Sequence, residues 1–168
     1  HIQSEVEQLK AQVNPQLLFN ILNRTAVLAR GEPDEASGML LKLSQILRYQ
    51  LYDCSRKAVL LKAEINFLTN YLALEQLYSK RIRYSVSAEG EVDRTFVPPL
   101  LFIPFVQQAV VHVYGQDTFT AIDLQFRVEN SRIHFVCSFD NGNLPDQNDF
   151  SSIRQRLELL YGDNYSLS

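Results

Sequence analysis

The chain has 168 residues, enough for one ordinary domain or for a small α/β domain with a helical extension. Its 16 basic and 19 acidic residues give a net charge of -3 at pH 7 without any basic run, which argues against nucleic acid as a partner. The longest apolar run, residues 96–106, is shorter than the roughly 20 residues that cross a bilayer. Cys54 and Cys137 fit neither a metal-ligand spacing nor a disulfide framework, so we interpret both as packing residues in a reducing compartment.

An amphipathic helix is predicted at the start of the chain, because apolar residues recur there at spacings of three and four. These residues are Ile2, Val6, Leu9 and Val13. Asn14 is a good N-cap and Pro15 cannot donate to the helical ladder, so a helix either restarts or kinks at this point, just before Gln16. The helix is expected to run to about Arg30 and to stop at Gly31.

A second helix is predicted from Pro33, with acidic residues in its first turn. Its predicted apolar face consists of Met39, Leu40, Leu43, Ile46, Leu47 and Leu51. This face is wide enough to cover the first helix and a second subunit, so a dimeric four-helix bundle is the expected completion. A third helix is predicted from about Leu61 to Lys80, with an inner face of Leu61, Ile65, Leu68, Leu72 and Leu77.

The apolar period changes from that of a helix to that of a strand after Arg83. Tyr84, Val86 and Ala88 alternate with polar residues and are predicted to face inward. The remaining predicted elements are a helix over residues 100–113, a β-hairpin of residues 119–128 and 133–139, and a helix over residues 151–161. An α/β layer therefore follows the predicted helices.

Residues 12–23 resemble the phosphoacceptor box of LytS-type sensor histidine kinases, the partners of LytTR response regulators. The family pattern is Gln-hydrophobic-Asn-Pro-His-hydrophobic-hydrophobic-Phe-Asn, and Gln16 stands at its histidine. The Arg48-Tyr49 pair and residues 71–75 are similar to the family's second and connecting helices. A neutral imidazole nitrogen can attack a phosphoryl group, whereas the lone pair of an amide nitrogen is delocalised, so Gln16 cannot become a phosphohistidine.

The order of helix, hairpin, turn and helix resembles the Bergerat-type (GHKL) ATPase fold. The resemblance implies an α+β fold class, in which a helical hairpin precedes an ATPase-like α/β sandwich. Residues 1–58 would form the dimerising, phosphoacceptor-like hairpin, residues 59–82 a connecting helix and residues 83–168 the ATPase-like domain. The family's last strand, with its Gly-Thr signature, has no counterpart, so we expect either a truncated or a shortened domain.

The family's Val-Glu-Asn-Ala box appears here as Val106-Gln107-Gln108-Ala109. By resemblance, Gln107 stands at the catalytic acid and Gln108 at the Mg²⁺ ligand. Gln107 has no carboxylate, and Gln108 carries its amide oxygen one methylene further out, although Mg²⁺ demands near-ideal octahedral geometry. Metal binding is therefore expected to be weak or absent. His112 matches the histidine of the box, but a histidine on a mainly apolar helix is more typical of core packing.

The adenine-binding box, Asp-Asn-Gly-x-Gly in the family, retains Asp140 and Gly142 but has Leu144 at its second glycine. The phosphate loop has lost its glycines, and Asp149 adds a negative charge where the triphosphate would lie. The resemblance thus implies a vestigial ATP site of Gln108, His112, Asp140 and Gly142, with no metal and either no cofactor or weakly bound ATP without Mg²⁺.

These differences predict a pseudokinase: the cytoplasmic core of a two-component sensor histidine kinase homologue that transduces signals without autophosphorylation. One alternative is an active kinase with an unusual ATP site, although the hairpin carries no histidine beyond His1. A plain dimerisation or scaffold module is the other. The expected partners are a second copy, bound through the N-terminal helices, and a LytTR-type response regulator. The resemblance also implies a place on the cytoplasmic side, within a longer inner-membrane protein.

Overall fold

The computed structural model describes residues 22–23, 25–27, 29–114, 119–139, 155, 157–159, 161–162 and 165–166. Its helices are α1 (Pro33–Tyr52), α2 (Leu61–Tyr78) and α3 (Ile103–Tyr114). Its strands are β1 (Val59–Leu60), β2 (Ile82–Glu89), β3 (Phe96–Val97), β4 (Thr120–Glu129) and β5 (Arg132–Phe139). The described residues between 22 and 31 are also helical, as are residues 155, 157–159 and 161. The predicted α+β class is confirmed. Most of the first and last predicted helices lie outside the described residues.

Helix α1 begins at Pro33, as its sequence predicts, because Glu32 adopts a non-helical conformation and separates it from the helical residues before it. A stripe with spacings of three and four is buried: Ala36, Met39, Leu43, Ile46 and Tyr49. The hydroxyl of Thr25, also buried, donates to Met39 Sδ at 3.7 Å, so the chain before Gly31 contacts α1 here. Leu40, Leu47 and Leu51, which the sequence assigns to the apolar face of this helix, lie outside the buried stripe and are exposed. The contact of this face with a second subunit stays a prediction.

Helix α2 is the most deeply buried element among the described residues. Its buried side chains are Leu61, Glu64, Phe67, Leu68, Tyr71, Leu72, Leu74 and Glu75. The apolar ones belong to one hydrophobic core, which also includes residues of α1 and of the sheet. Ile65 and Leu77, predicted to lie inside, are only partly buried. The helix ends at Tyr78 rather than at Lys80, because Ser79 is extended, with φ of -127° and ψ of 111°.

The larger sheet has the strand order β2-β4-β5, with β2 parallel and β5 antiparallel to β4. The predicted β-hairpin is confirmed, and its turn residues Asn130 and Ser131 have φ of 52° and 63°, as a two-residue turn of type I′ requires. Ala88 was predicted to face inward but is exposed, because β2 is an edge strand of this sheet and its inward face ends at Val86. The short strands β1 and β3 pair separately, with Val59 opposite Val97.

Helix α3 begins at Ile103 and not at Leu100, where the sequence predicts it. Leu100 has φ of 60°, which is incompatible with a right-handed helix. Once started, α3 buries Val106, Ala109 and Val110. Just before it, Phe102 packs edge-on against Phe126 of β4, with ring centroids 5.3 Å apart.

Cys54 and Cys137 are not joined in a disulfide and are partly buried against the core, in agreement with their interpretation as packing residues. Within the part of the chain that the structure describes, no helix is both long enough and apolar enough to cross a membrane.

Candidate functional site

The predicted nucleotide box lies on α3, the helix that follows β3 and precedes β4. Val106 and Ala109 are buried, while Gln107 and Gln108 between them are partly buried. The Nε2 atom of Gln107 is inaccessible to solvent and has no hydrogen-bond partner among the described residues. The two residues therefore occupy consecutive positions of α3 at the margin of the core.

The other predicted site residues lie wholly or partly outside the described part of the chain. Gln16, Asp140 and Gly142 lie outside the described residues, as do Leu144 and Asp149. His112 belongs to α3, but its side chain is outside the described part as well. Of the predicted site residues, Gln107 and Gln108 are those whose side chains the structure describes. Their position relative to the predicted acceptor residue and adenine box stays a prediction.

The chemistry available at the two amides is that of neutral hydrogen bonding. A carboxamide neither ionises near neutral pH nor accepts a proton as a carboxylate does, although its oxygen can accept a hydrogen bond. Over the described ranges there is also no cluster of three or more histidine, cysteine, aspartate or glutamate residues with the geometry of a metal site. The two amides of α3 therefore cannot act as a general base.

A buried carboxylate that sequence reasoning missed lies on α2. Glu64 is 1% exposed, and its Oε2 accepts a hydrogen bond from the hydroxyl of Tyr49, on α1. Its Oε1 accepts a bond of 3.1 Å from the backbone N–H of Leu101, two residues before α3. Burial, and then the neighbouring Glu64 carboxylate, raise the pKa of the Tyr49 phenol well above its ordinary value, so Tyr49 stays protonated and donates.

The signal for this carboxylate was present in the spacing of α2. Glu64 follows Leu61 by three residues and precedes Leu68 by four, which puts it on the apolar stripe of the helix. A charged residue on such a stripe indicates a buried polar contact. The identity of its partners was not predictable, because Leu101 is 37 residues away along the chain.

The solvent-facing side of the sheet is polar. Asp123 on β4 accepts hydrogen bonds from Ser85 Oγ at 2.6 Å and from Gln125 Nε2 at 2.8 Å. On β5, burial and then the charge of Asp123 raise the pKa of the Cys137 thiol to about 11. Both oxygens of this carboxylate are thus engaged within the sheet.

Known proteins resemble this chain over most of its length. A family model described as histidine kinase matches residues 4–85. The chain is 29% identical to the sensor protein LytS of Bacillus cereus over 141 residues, which is 83% of this chain and 24% of that protein. The chain belongs to the LytS-type sensor histidine kinase family.

Two further relatives of this LytS-type chain come from staphylococci. It is 31% identical to the sensor histidine kinase/phosphatase LytS of Staphylococcus aureus and 32% identical to the sensor protein LytS of Staphylococcus saprophyticus. Each match extends over 112 residues, which is 66% of this chain and 19% of the relative. The chain thus spans about a quarter or less of the length of these relatives. The family match covers α1 and α2 and ends within β2, so Gln107 and Gln108 lie beyond it.

Proposed function

We propose that this chain is the core of a two-component sensor histidine kinase homologue that takes part in signal transduction without autophosphorylating. The observation that carries the proposal is Gln16, which stands at the phosphoacceptor position of a segment that otherwise follows the family pattern. Phosphotransfer to this position requires a nucleophilic ring nitrogen, and an amide supplies none.

The substitutions on α3 support the same proposal. Gln107 replaces the family's acid, and a neutral amide cannot orient a nucleophile by taking up its proton. Gln108 replaces the Mg²⁺ ligand with a longer side chain. Because phosphoryl transfer is catalysed mainly by positioning and by stabilisation of charge, loss of both groups together with the acceptor removes the basis of the reaction.

The proposed assembly is a homodimer formed by the N-terminal helices, which we take to be a hairpin within residues 1–58. Leu40, Leu47 and Leu51 are 50%, 36% and 70% exposed, and they recur at spacings of seven and four along α1. Such a stripe, separate from the buried face of the same helix, suits a partner helix. A second copy of the chain would cover it.

The remaining parts of the proposal follow from family membership. Residues 59–82 would act as the connecting helix and residues 83–168 as a GHKL-type domain, for which the α3 crossover between parallel β2 and β4 is suitable. The partner would be a LytTR-type response regulator. The core would work on the cytoplasmic side as part of a longer inner-membrane protein.

Incubation of the purified chain with γ-labelled ATP and Mg²⁺ tests the central proposal. We expect no acid-labile, base-stable label, under conditions in which the kinase core of the staphylococcal relative serves as the assay control. The Gln16→His variant is also expected to stay unlabelled, because Gln107, Gln108 and Asp149 remain. Label on the unaltered chain would overturn the proposal, and label that persists in Gln16→Ala would identify a different acceptor.

A further inference from the structure

One buried carboxylate joins three parts of the fold. Glu64 belongs to α2, its Tyr49 donor to α1, and its Leu101 donor to the segment that leads into α3. The two donors bind different carboxylate oxygens, Oε2 and Oε1, so Glu64 lies between them as a bridge. Charge-assisted hydrogen bonds of this kind are stronger than neutral ones, and a buried carboxylate depends on them because it has lost its water.

The Tyr49 end of the bridge is held in place by packing. Its ring stacks on Phe67 of α2, with centroids 4.8 Å apart and planes inclined by 19°. A separate contact joins the same two helices nearer the start of α1, where Lys42 Nζ donates to Asn70 Oδ1 at 3.1 Å. Tyr49 therefore belongs to α1 but packs against α2. A displacement of α1 along or around its axis would disturb this packing and move the Tyr49 hydroxyl relative to Glu64.

The Leu101 end of the bridge lies where the backbone is under strain. Leu100 has φ of 60°, a conformation that bulky L-residues rarely adopt unless the surrounding structure imposes it. The next N–H, that of Leu101, points to Glu64, and α3 starts two residues later. The carboxylate thus helps to fix the backbone that sets the position of α3, and α3 carries Gln107 and Gln108.

We propose that Glu64 is a positioning residue that couples α1 to the start of α3, so that a change in the position of α1 reaches the helix of the nucleotide box through the Tyr49–Glu64–Leu101 bridge. The coupling concerns geometry alone and does not depend on whether the chain transfers phosphate. Through this bridge, a movement of the N-terminal helices would alter the position of α3. Conversely, a ligand that binds at α3 and shifts it would alter the position of α1.

The first test is amide hydrogen exchange at Leu101 in the full chain and in Tyr49→Phe. This variant keeps the ring that stacks on Phe67 and removes the hydroxyl that donates to Glu64. Without this donor, the Glu64 side chain loses one of the two contacts that hold its carboxylate in place, which weakens its bond to Leu101. We expect exchange at Leu101 to accelerate by about tenfold or more, beyond any change at the amides of β4.

The matched control is Tyr52→Phe, which removes a hydroxyl from the same helix at a side chain that is 69% exposed. It should leave exchange at Leu101 unchanged. Unchanged exchange in Tyr49→Phe would overturn the coupling. So would an acceleration at Leu101 that β4 shares equally, because this would reflect lower global stability and not a local link.

A second test uses the dependence of both donors on one carboxylate. Exchange at Leu101 in the double variant Tyr49→Phe/Glu64→Leu should equal that in Glu64→Leu alone, since leucine has no acceptor and the hydroxyl acts on Leu101 only through Glu64. Independent, multiplied effects of the two substitutions would contradict the proposal. If Glu64→Leu does not fold, the comparison of Tyr49→Phe with Tyr52→Phe still decides it.

Discussion

Gly90 lies directly against the carbonyl group of Val128. A β-carbon on Gly90 would overlap the Val128 oxygen and come within 3.1 Å of its carbonyl carbon. Gly90 also has φ of 89°, which side-chain-bearing residues rarely adopt. The chain leaves β2 at this residue, so the absence of a side chain allows the end of β2 to approach β4 closely.

The substitution Gly90→Ala should therefore destabilise the fold, by more than about 1 kcal/mol, because both the backbone conformation and the contact oppose it. Gly38→Ala is the matched control: Gly38 lies within α1, and a β-carbon there meets nothing within 4 Å. This second substitution should stabilise the chain by about 0.5–1 kcal/mol. Urea unfolding followed by circular dichroism measures both. Equal stability of Gly90→Ala and the unaltered chain would show that the contact relaxes freely.

The Cys137 thiol should make stability depend on pH in the alkaline range. Burial, followed by the charge of Asp123, raises its pKa from 9.0 to about 11. The unfolded chain therefore loses this proton at lower pH than the folded chain, so the stabilisation is complete below pH 9 and is lost as the pH rises towards 11.

The measurement is the free energy of unfolding at several pH values from 8 to about 10.5, under reducing conditions, for the unaltered chain and for Cys137→Ala. The unaltered chain should lose stability more steeply than the variant above pH 9. Parallel curves would mean that the thiol titrates alike in both states. Tyr49, whose pKa is raised in the same direction, is present in both proteins and cancels in the comparison.

The elements that the sequence predicts best are those fixed by local pattern. The β4–β5 hairpin follows from alternation and a short polar turn, and α1 starts at Pro33 because proline suits a first turn. The predicted start of α3 is wrong. The left-handed conformation of Leu100 prevents a helix from starting there, and a leucine in the sequence does not indicate such a conformation.

The candidate site also has features that the sequence predicts and features that it does not. The proposed loss of chemical groups at Gln16, Gln107 and Gln108 is inferred from residue types and the family pattern alone. The geometry that links the helices to α3 is not, because the Tyr49–Glu64–Leu101 bridge joins residues distant in sequence. Residue types therefore predict which functional groups of the family are replaced. The contacts between distant residues, on which the proposed coupling of α1 to α3 depends, come from the structure.

The exposed leucines of α1 should carry dimerisation. The double substitution Leu47→Lys/Leu51→Lys places two charges on the proposed interface and should weaken the dimer by about a hundredfold or more, given about 1.5–3 kcal/mol for each buried leucine. Val136→Lys, on β5, is the control, because Val136 is also exposed, at 51%, but lies on the sheet. Sedimentation at tens of micromolar measures the effect. A monomeric unaltered chain, or a dimer that both variants leave intact, would contradict the proposed interface.

Nucleotide binding should be weak and indifferent to Mg²⁺. By the resemblance to the family, Asp140 and Gly142 would recognise an adenine ring, whereas Gln108 would be a poor metal ligand and Asp149 would repel phosphates. A few neutral hydrogen bonds of about 1 kcal/mol each leave a dissociation constant near or above millimolar once ordering costs are included. Calorimetry with ATP and with adenosine, each with and without Mg²⁺, measures this affinity.

Two variants separate the contributions to that affinity. Asp149→Asn removes the repulsion and should strengthen binding of ATP but not of adenosine, whereas Asp140→Ala should weaken both, because it removes a hydrogen-bond acceptor for the adenine amino group. Neither change should create a dependence on Mg²⁺, since Gln108 is unaltered in both. Micromolar binding of ATP that requires Mg²⁺ would contradict the prediction, because it would mean that the Gln108 amide oxygen still holds the metal against the phosphates and that the site retains its nucleotide chemistry.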